Sequence, residues 1–343
     1  MSIENIDVAS PRLLILTRRD PTCIFFSLFI TTLRLTRGKV THVSLIDYLF
    51  EPIVEDLLQH YDNVLLLDIA NEFNINTISR KNVSALNIDL KTLLDSKDLV
   101  KESEQNSKIL LEISTVMYLI EHPENVLDNV DSSITILEKI DKPPLPGCTY
   151  LDIIKSIVLS VMPYIPEVTG SDNISLDSHD FENILRIVSE KVLKNRFLGT
   201  MLDTLLYPSY KVRDGALVQD IMLILESHLW RDEYINIMDI VRYDKALSDR
   251  KILERCLSYV KDLSNNVQKV LKSKDYAIDV NNMVMFYRLC KILRFHRKWK
   301  EIKIMCRPRR GVICSASGVK PEINVKEYSL YSKDGVYVIC YEE

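Results

Sequence analysis

Three aspartates stand where strand-like apolar runs end, and they are the residues of this sequence best placed to do chemistry. Arg12 to Thr17 (RLLILT) reads as a buried strand and leads through Arg18-Arg19 to Asp20. Asn63 to Leu67 (NVLLL) ends in Asp68, and Val83 to Ile88 ends in Asp89. Open α/β sheets place their ligands at the carboxyl ends of the strands. Carboxylates gathered there could belong to a hydrolytic metal site. The set is incomplete for that task, because such a site needs more than three carboxylates. None of His42, His60, His122, His179, His228 or His296 falls at one of these strand ends. Arg18 and Arg19 would also repel a cation. Asp20 has a purely structural reading as a helix N-cap, since Pro21 follows it at the first helical position. Asp68 could equally accept hydrogen bonds from backbone donors of the next loop.

A second cluster is cationic. From Arg288 to Arg310 the bases are Arg288, Lys291, Arg294, Arg297, Lys298, Lys300, Lys303, Arg307, Arg309 and Arg310, with Glu301 the only acid among them. Phe295 and Trp299 are interleaved. Bases track phosphates, and aromatic faces stack unpaired bases. Arg294, Arg297, Lys298, Trp299, Lys300, Arg307, Arg309 and Arg310 are therefore the candidate contacts for single-stranded nucleic acid. The bland reading is a solvated helix face running into a basic loop.

The elements that must position these residues alternate in the first part of the chain. Pro21 to Thr36 reads as a helix, Lys39 to Leu45 as a strand and Ile46 to His60 as an amphipathic helix. The Asn63 and Val83 strands follow, then a helix over Ser107 to Glu121. Strands separated by helices predict crossover units and a parallel sheet. Pro143-Pro144-Leu145-Pro146-Gly147 marks a boundary, since proline cannot continue a helix. Beyond it the apolar period is helical over Tyr150 to Met162, Phe181 to Lys194, Leu217 to Leu229, Lys251 to Leu271 and Asn282 to Arg294. Gly170 to Asp180 reads as a polar loop. The last forty residues return to strands, at Glu301 to Cys306, Val312 to Ser315, Ile323 to Ser329 and Val336 to Tyr341. Asp334-Gly335 makes the final pair a hairpin. The fold class expected is α/β. Residues 1–145 form a parallel-sheet domain, 146–230 a helical region and 231–343 a small α+β domain ending in the hairpin.

Composition sets limits on function. Only 8 of the 343 residues are glycine, which argues against glycine-rich phosphate loops. The formal net charge of -4 makes no global case for nucleic acid, so any such case rests on the local basic run. The seven cysteines contain no CxxC pair, and Cys306 and Cys314 are the closest in sequence. They read as reduced, mostly buried thiols rather than a disulfide framework or zinc ligands. The polar, acidic start (MSIENIDVAS) does not read as a signal peptide, and the apolar run Cys23 to Ile30 is too short to span a membrane. A soluble intracellular protein is expected.

The strand-end pattern resembles the DHH phosphoesterase superfamily, which includes the RecJ nucleases. That family's first motif is a strand followed by T-H-x-D-x-D-G. Here Thr17-Arg18-Arg19-Asp20-Pro21-Thr22-Cys23 keeps one aspartate, with Arg18 at the histidine position, Thr22 at the second aspartate and Cys23 at the glycine. The second motif, an apolar strand ending in Asp, is matched by Leu65-Leu66-Leu67-Asp68-Ile69. The third names the family, and Asp89-Leu90-Lys91 stands where Asp-His-His is found. The C-terminal GGGH-like signature is absent from Gly311 to Gly318. The resemblance covers about the first 120 residues. It implies a fold built for two manganese ions, here with vestigial positions Asp20, Asp68 and Asp89, so that no metal, cofactor or catalysis is expected. Chain size and the lack of long acidic inserts resemble the archaeal members of the inactive RecJ-like branch. Such proteins bind the GINS complex and the MCM motor in the replicative helicase, with a guiding role for single-stranded DNA. Two other readings stay open: an active manganese-dependent nuclease or phosphoesterase, and an unrelated α/β scaffold.

Overall fold

The structure is a computed structural model that describes residues 11–47, 57, 59–69, 83–122, 133–162, 164–165, 168–170, 208–272, 277–280, 282–296, 299–320, 328–333 and 335–342. The expected helix over Phe181 to Lys194, most of that over Ile46 to His60 and most of the Gly170 to Asp180 loop lie outside the described residues. The chain folds into two compact units that interleave along the sequence. The first comprises Met1–Tyr118, Asp279–Met283 and Lys303–Glu343, and the second Leu119–Ile278 and Val284–Ile302. The expected boundaries at 145 and 230 do not coincide with this division.

In the first unit, β1 (Arg12–Thr17), β2 (Val40–Leu45), β3 (Asn63–Leu67) and β4 (Val83–Leu86) form a parallel sheet in the order β2-β1-β3-β4. Leu14 stands opposite His42 on one side and Val64 on the other, so the register is continuous. Leu13 to Leu16 and Val64 to Leu67 are buried without alternation, as strands covered on both faces must be. Helix α1 (Pro21–Leu35) packs against β1 and β2. Its buried Phe25, Phe26 and Phe29 explain why it is apolar nearly all round. Helix α2 (Leu90–Asp95) follows β4, and α3 (Gln105–Glu121) comes next, its last three residues counted with the second unit. Ser114 Oγ donates to the Thr22 carbonyl at 3.1 Å and ties α3 to the start of α1.

The second unit contains the short antiparallel pair β5 (Glu138–Ile140) and β6 (Ser209–Lys211). It also contains α4 (Ile153–Val158), α5 (Val218–Trp230), α6 (Ile237–Arg242), α7 (Arg250–Lys272) and most of α8 (Met283–Leu293). The helix expected over Tyr150 to Met162 is cut to six residues. Asp152 starts it by accepting from the Lys155 N–H at 2.8 Å, and the chain leaves helical form after Leu159. The helices expected over Leu217 to Leu229, Lys251 to Leu271 and Asn282 to Arg294 end within two residues of those limits, and α6 was not expected.

Strand β7 (Ala277–Val280) borders a second sheet with β8 (Lys303–Arg309), β9 (Val312–Ser317), β10 (Tyr328–Lys333) and β11 (Val336–Glu342), in the order β10-β11-β9-β8-β7. Neighbours among β8 to β11 run antiparallel. Lys333 pairs with Val336, which leaves the expected two-residue turn, with Gly335 at φ 72°. Among the described residues no helix is long and apolar enough to cross a membrane.

Candidate functional site at the carboxyl edge of the parallel sheet

The three aspartates do stand at the carboxyl edge of the first sheet, but each is already engaged. Asp20 has extended backbone angles before Pro21, and its Oδ1 accepts from the Cys23 N–H at 3.3 Å. It is the N-cap of α1, the structural role its sequence neighbours suggest. Asp89 is exposed and caps α2, with Oδ1 accepting from the Thr92 N–H at 2.7 Å.

Asp68 is the centre of the site. It is 1% exposed and sits at φ 56°, in the left-handed region, just past the end of β3. Its backbone N–H donates to the Leu86 carbonyl at 2.8 Å, and its Oδ1 accepts from the Ile88 N–H at 3.3 Å. These bonds lock the turn to the end of β4. Its Oδ2 is paired with the Arg18 guanidinium and has the Cys23 thiol 3.6 Å away. Arg18 is buried too, so the pair lies in a weakly screened interior. Beside it Arg19 pairs with Asp47, just past the end of β2, at 3.2 Å. Both motif arginines are thus held by carboxylates of the same sheet edge.

The guanidinium of Arg18 therefore occupies the electrostatic position that a cation would take beside Asp68. Asp20 is turned to the helix start and Asp89 to its own helix. Among the described residues, no group of three or more His, Cys, Asp or Glu side chains is placed to hold a metal ion. The described residues do not fit a two-manganese centre.

The basic run is divided among different environments. Arg288 on α8 is 3% exposed and is paired with both Glu226 of α5 and Glu121 at the end of α3. Lys291 reaches the other oxygen of Glu121 at 2.7 Å, and Arg294 donates to the Glu121 carbonyl at 2.7 Å. Tyr259 donates to Glu226 at 3.1 Å, completing a buried polar cluster of the second unit. Trp299 is 5% exposed, which corrects its expected role: its ring is packed inside and is not offered for base stacking. Arg294 likewise serves the interior. Lys300, Arg307 and Arg310 are exposed, with Arg307 2.9 Å from Asp279. Arg297, Lys298 and the side chain of Arg309 lie outside the described residues.

Two features have no local signal in the sequence. Asp220 of α5 is fully buried, accepting from the Gly147 N–H at 2.7 Å and from the Tyr150 hydroxyl at 2.5 Å. Burial pushes its carboxyl up to about 7, against the pull of those donors. Gly147 sits at φ 66°, where an added Cβ would meet the Leu151 side chain. The other is a disulfide between Cys314 and Cys340, which corrects the expectation of reduced thiols throughout. The remaining five cysteines are buried thiols outside any disulfide.

No family model and no curated protein matches this sequence. Among solved structures, it is similar to a crystal structure of CDC45 from Entamoeba histolytica, with a TM-score of 0.47 and 9% identity over 97% of this chain and 92% of that one. It is also similar to RecJ in complex with manganese from Thermus thermophilus, with a TM-score of 0.41, 11% identity, and coverage of 99% of this chain and 51% of that one. A further structure of exonuclease RecJ bound to manganese gives a TM-score of 0.39 and 10% identity over 96% of this chain and 85% of that one.

Proposed function

We propose that this chain is a non-catalytic RecJ-like replication factor, a subunit of the replicative helicase assembly that binds the GINS complex and the MCM motor. The observation that carries the non-catalytic part is the buried pairing of Arg18 with Asp68. It puts a fixed guanidinium at the histidine position of the first motif and against the aspartate of the second. With Asp20 and Asp89 used as helix caps, the edge that would do hydrolysis is built as a stable structural joint. The motif positions themselves support the RecJ-like lineage. What remains for such a chain is to present surfaces. The GINS contact is assigned to the parallel-sheet part, and exposed bases at Lys300, Arg307 and Arg310 are the remaining candidates for guiding a single strand. The protein is assigned to the cell interior, with the nucleoid as its site of action.

The test is size-exclusion chromatography of the purified chain with GINS from the same source, run beside a manganese titration of thermal stability. A ligand that binds only the folded state raises its melting temperature as the logarithm of concentration. The expected result is a stable co-eluting complex and no manganese-dependent stabilisation. Absence of a complex at micromolar concentration, or stabilisation by manganese accompanied by phosphodiester cleavage, would overturn the reading. Loss of residues 1–130 is expected to abolish co-elution.

A further inference from the structure

Cys306, Cys314 and Cys340 lie in one row across three neighbouring strands. Cys314 on β9 is directly opposite Cys340 on β11, and directly opposite Cys306 on β8. Residues directly opposite one another project from the same face of a sheet. That face is the buried one: Ile304, Ala316 and Val338 flank the row, and all three cysteines are at most 2% exposed. Cys314 therefore has a sulfur neighbour on each side. Its bonded partner is Cys340, with Cα atoms 4.0 Å apart, which makes this the narrow, non-hydrogen-bonded type of pair. The central residue of an antiparallel row then makes the wide type of pair on its other side, with Cα atoms about 5.5 Å apart. A disulfide there needs the two Cβ atoms drawn in to about 3.5–4.5 Å, closer than a wide pair holds them. The register of β8 against β9 shifts just after Cys306, so closing the Cys306–Cys314 bond draws β8 toward β9 at that irregularity.

We propose that this row is a thiol–disulfide exchange site, in which the bond passes between Cys314–Cys340 and Cys306–Cys314. In the step, the Cys306 thiolate attacks Cys314 Sγ. The Cys306–Cys314 bond forms, the Cys314–Cys340 bond breaks, and Cys340 leaves as the thiolate and takes up the proton that Cys306 gave. One disulfide and one thiol are present before and after, so no oxidant or reductant is consumed. The two states tie different strands. The Cys314–Cys340 bond staples the last strand to the sheet centre, whereas the Cys306–Cys314 bond closes β8 on β9 and leaves β10 and β11 without a covalent hold. Burial, with Asp47 and Asp279 adding to it, pushes the Cys306 thiol up to about 12, so exchange is slow until the sheet edge opens. In a reducing compartment disulfides are transient and often regulatory, and this row supplies the geometry for one.

The sequence makes the test direct. Trypsin cleaves after Lys303, Arg309, Arg310 and Lys333, placing Cys306, Cys314 and Cys340 on three separate peptides. The full-length protein is incubated in a glutathione buffer at about pH 8.5, quenched in acid, alkylated and mapped by mass spectrometry. Both linked peptides are expected in the unaltered protein. Cys340→Ser is expected to carry Cys306–Cys314 alone, and Cys306→Ser to carry Cys314–Cys340 alone. If the unaltered protein yields only Cys314–Cys340 at every time, or no disulfide at all, the exchange site is refuted. Because that readout uses the native sequence, it stands even if a variant fails to fold.

Discussion

Replacing Arg18 by Met keeps the length of the side chain and removes the charge paired with Asp68, while the Ile88 N–H and the Cys23 thiol stay beside the carboxylate. The side chains of the pair are only 5% and 1% exposed, so solvent would do little to relieve the stranded carboxylate. Breaking one partner out of such a buried pair costs about 3–5 kcal/mol. Removing both charges at once is a different matter. Arg18→Met with Asp68→Asn removes both charges, while the amide keeps an acceptor for the Ile88 N–H and tolerates the left-handed backbone at φ 56°. The double variant is therefore expected to lie within about 1 kcal/mol of the parent, with a coupling energy of several kcal/mol. Both tryptophans, Trp230 and Trp299, belong to the second unit, so their fluorescence reports the wrong part of the molecule. The cycle is better read by hydrogen exchange of amides in β1 and β3, supported by urea unfolding followed by circular dichroism. Additive single effects, or an Arg18→Met variant as stable as the parent, would refute the idea that Arg18 is the resident counter-ion of Asp68.

Asp220 has its carboxyl raised from 3.8 to about 7, so its contribution to stability is complete below about pH 4 and is lost as pH rises toward 7. At about 1.4 kcal/mol per unit, Asp220→Asn should gain roughly 4 kcal/mol relative to the parent between pH 4 and 8, and parallel stability–pH curves would contradict this. In the basic run, Trp299→Leu is expected to leave single-strand affinity unchanged because the ring is internal, whereas replacing Arg307, Arg309 and Arg310 by Ala should weaken binding. Three lost phosphate contacts would flatten the salt slope by about 2, and an unchanged slope would remove this patch as the phosphate track.

Legibility followed the range over which each interaction acts. Strands β1 and β3 could be read because burial on both faces writes an uninterrupted apolar run, and Arg12–Thr17 and Asn63–Leu67 are found with those limits. The Asp20-Pro21 cap was legible because its donor, the Cys23 N–H, is three residues away. Strands β5, β6 and β7 were not, since three or four residues leave no period to detect. The partners of the basic run were hidden by distance: Glu121 lies 167 positions before Arg288. A tryptophan among bases has the same spacing whether its ring faces a nucleobase or a core, which is why Trp299 misled. The odd cysteine count likewise concealed a pair 26 residues apart. Arg18 shows where the sequence runs out. Its charge next to Asp20 marks a site hostile to metal, a conclusion that needs only the neighbouring residues. That the same charge satisfies Asp68, 50 residues on, depends on β1 and β3 lying side by side in register, with Thr17 opposite Leu67. Once that pairing forms, the residue placed to repel a cation from the sheet edge is also the counter-ion of Asp68.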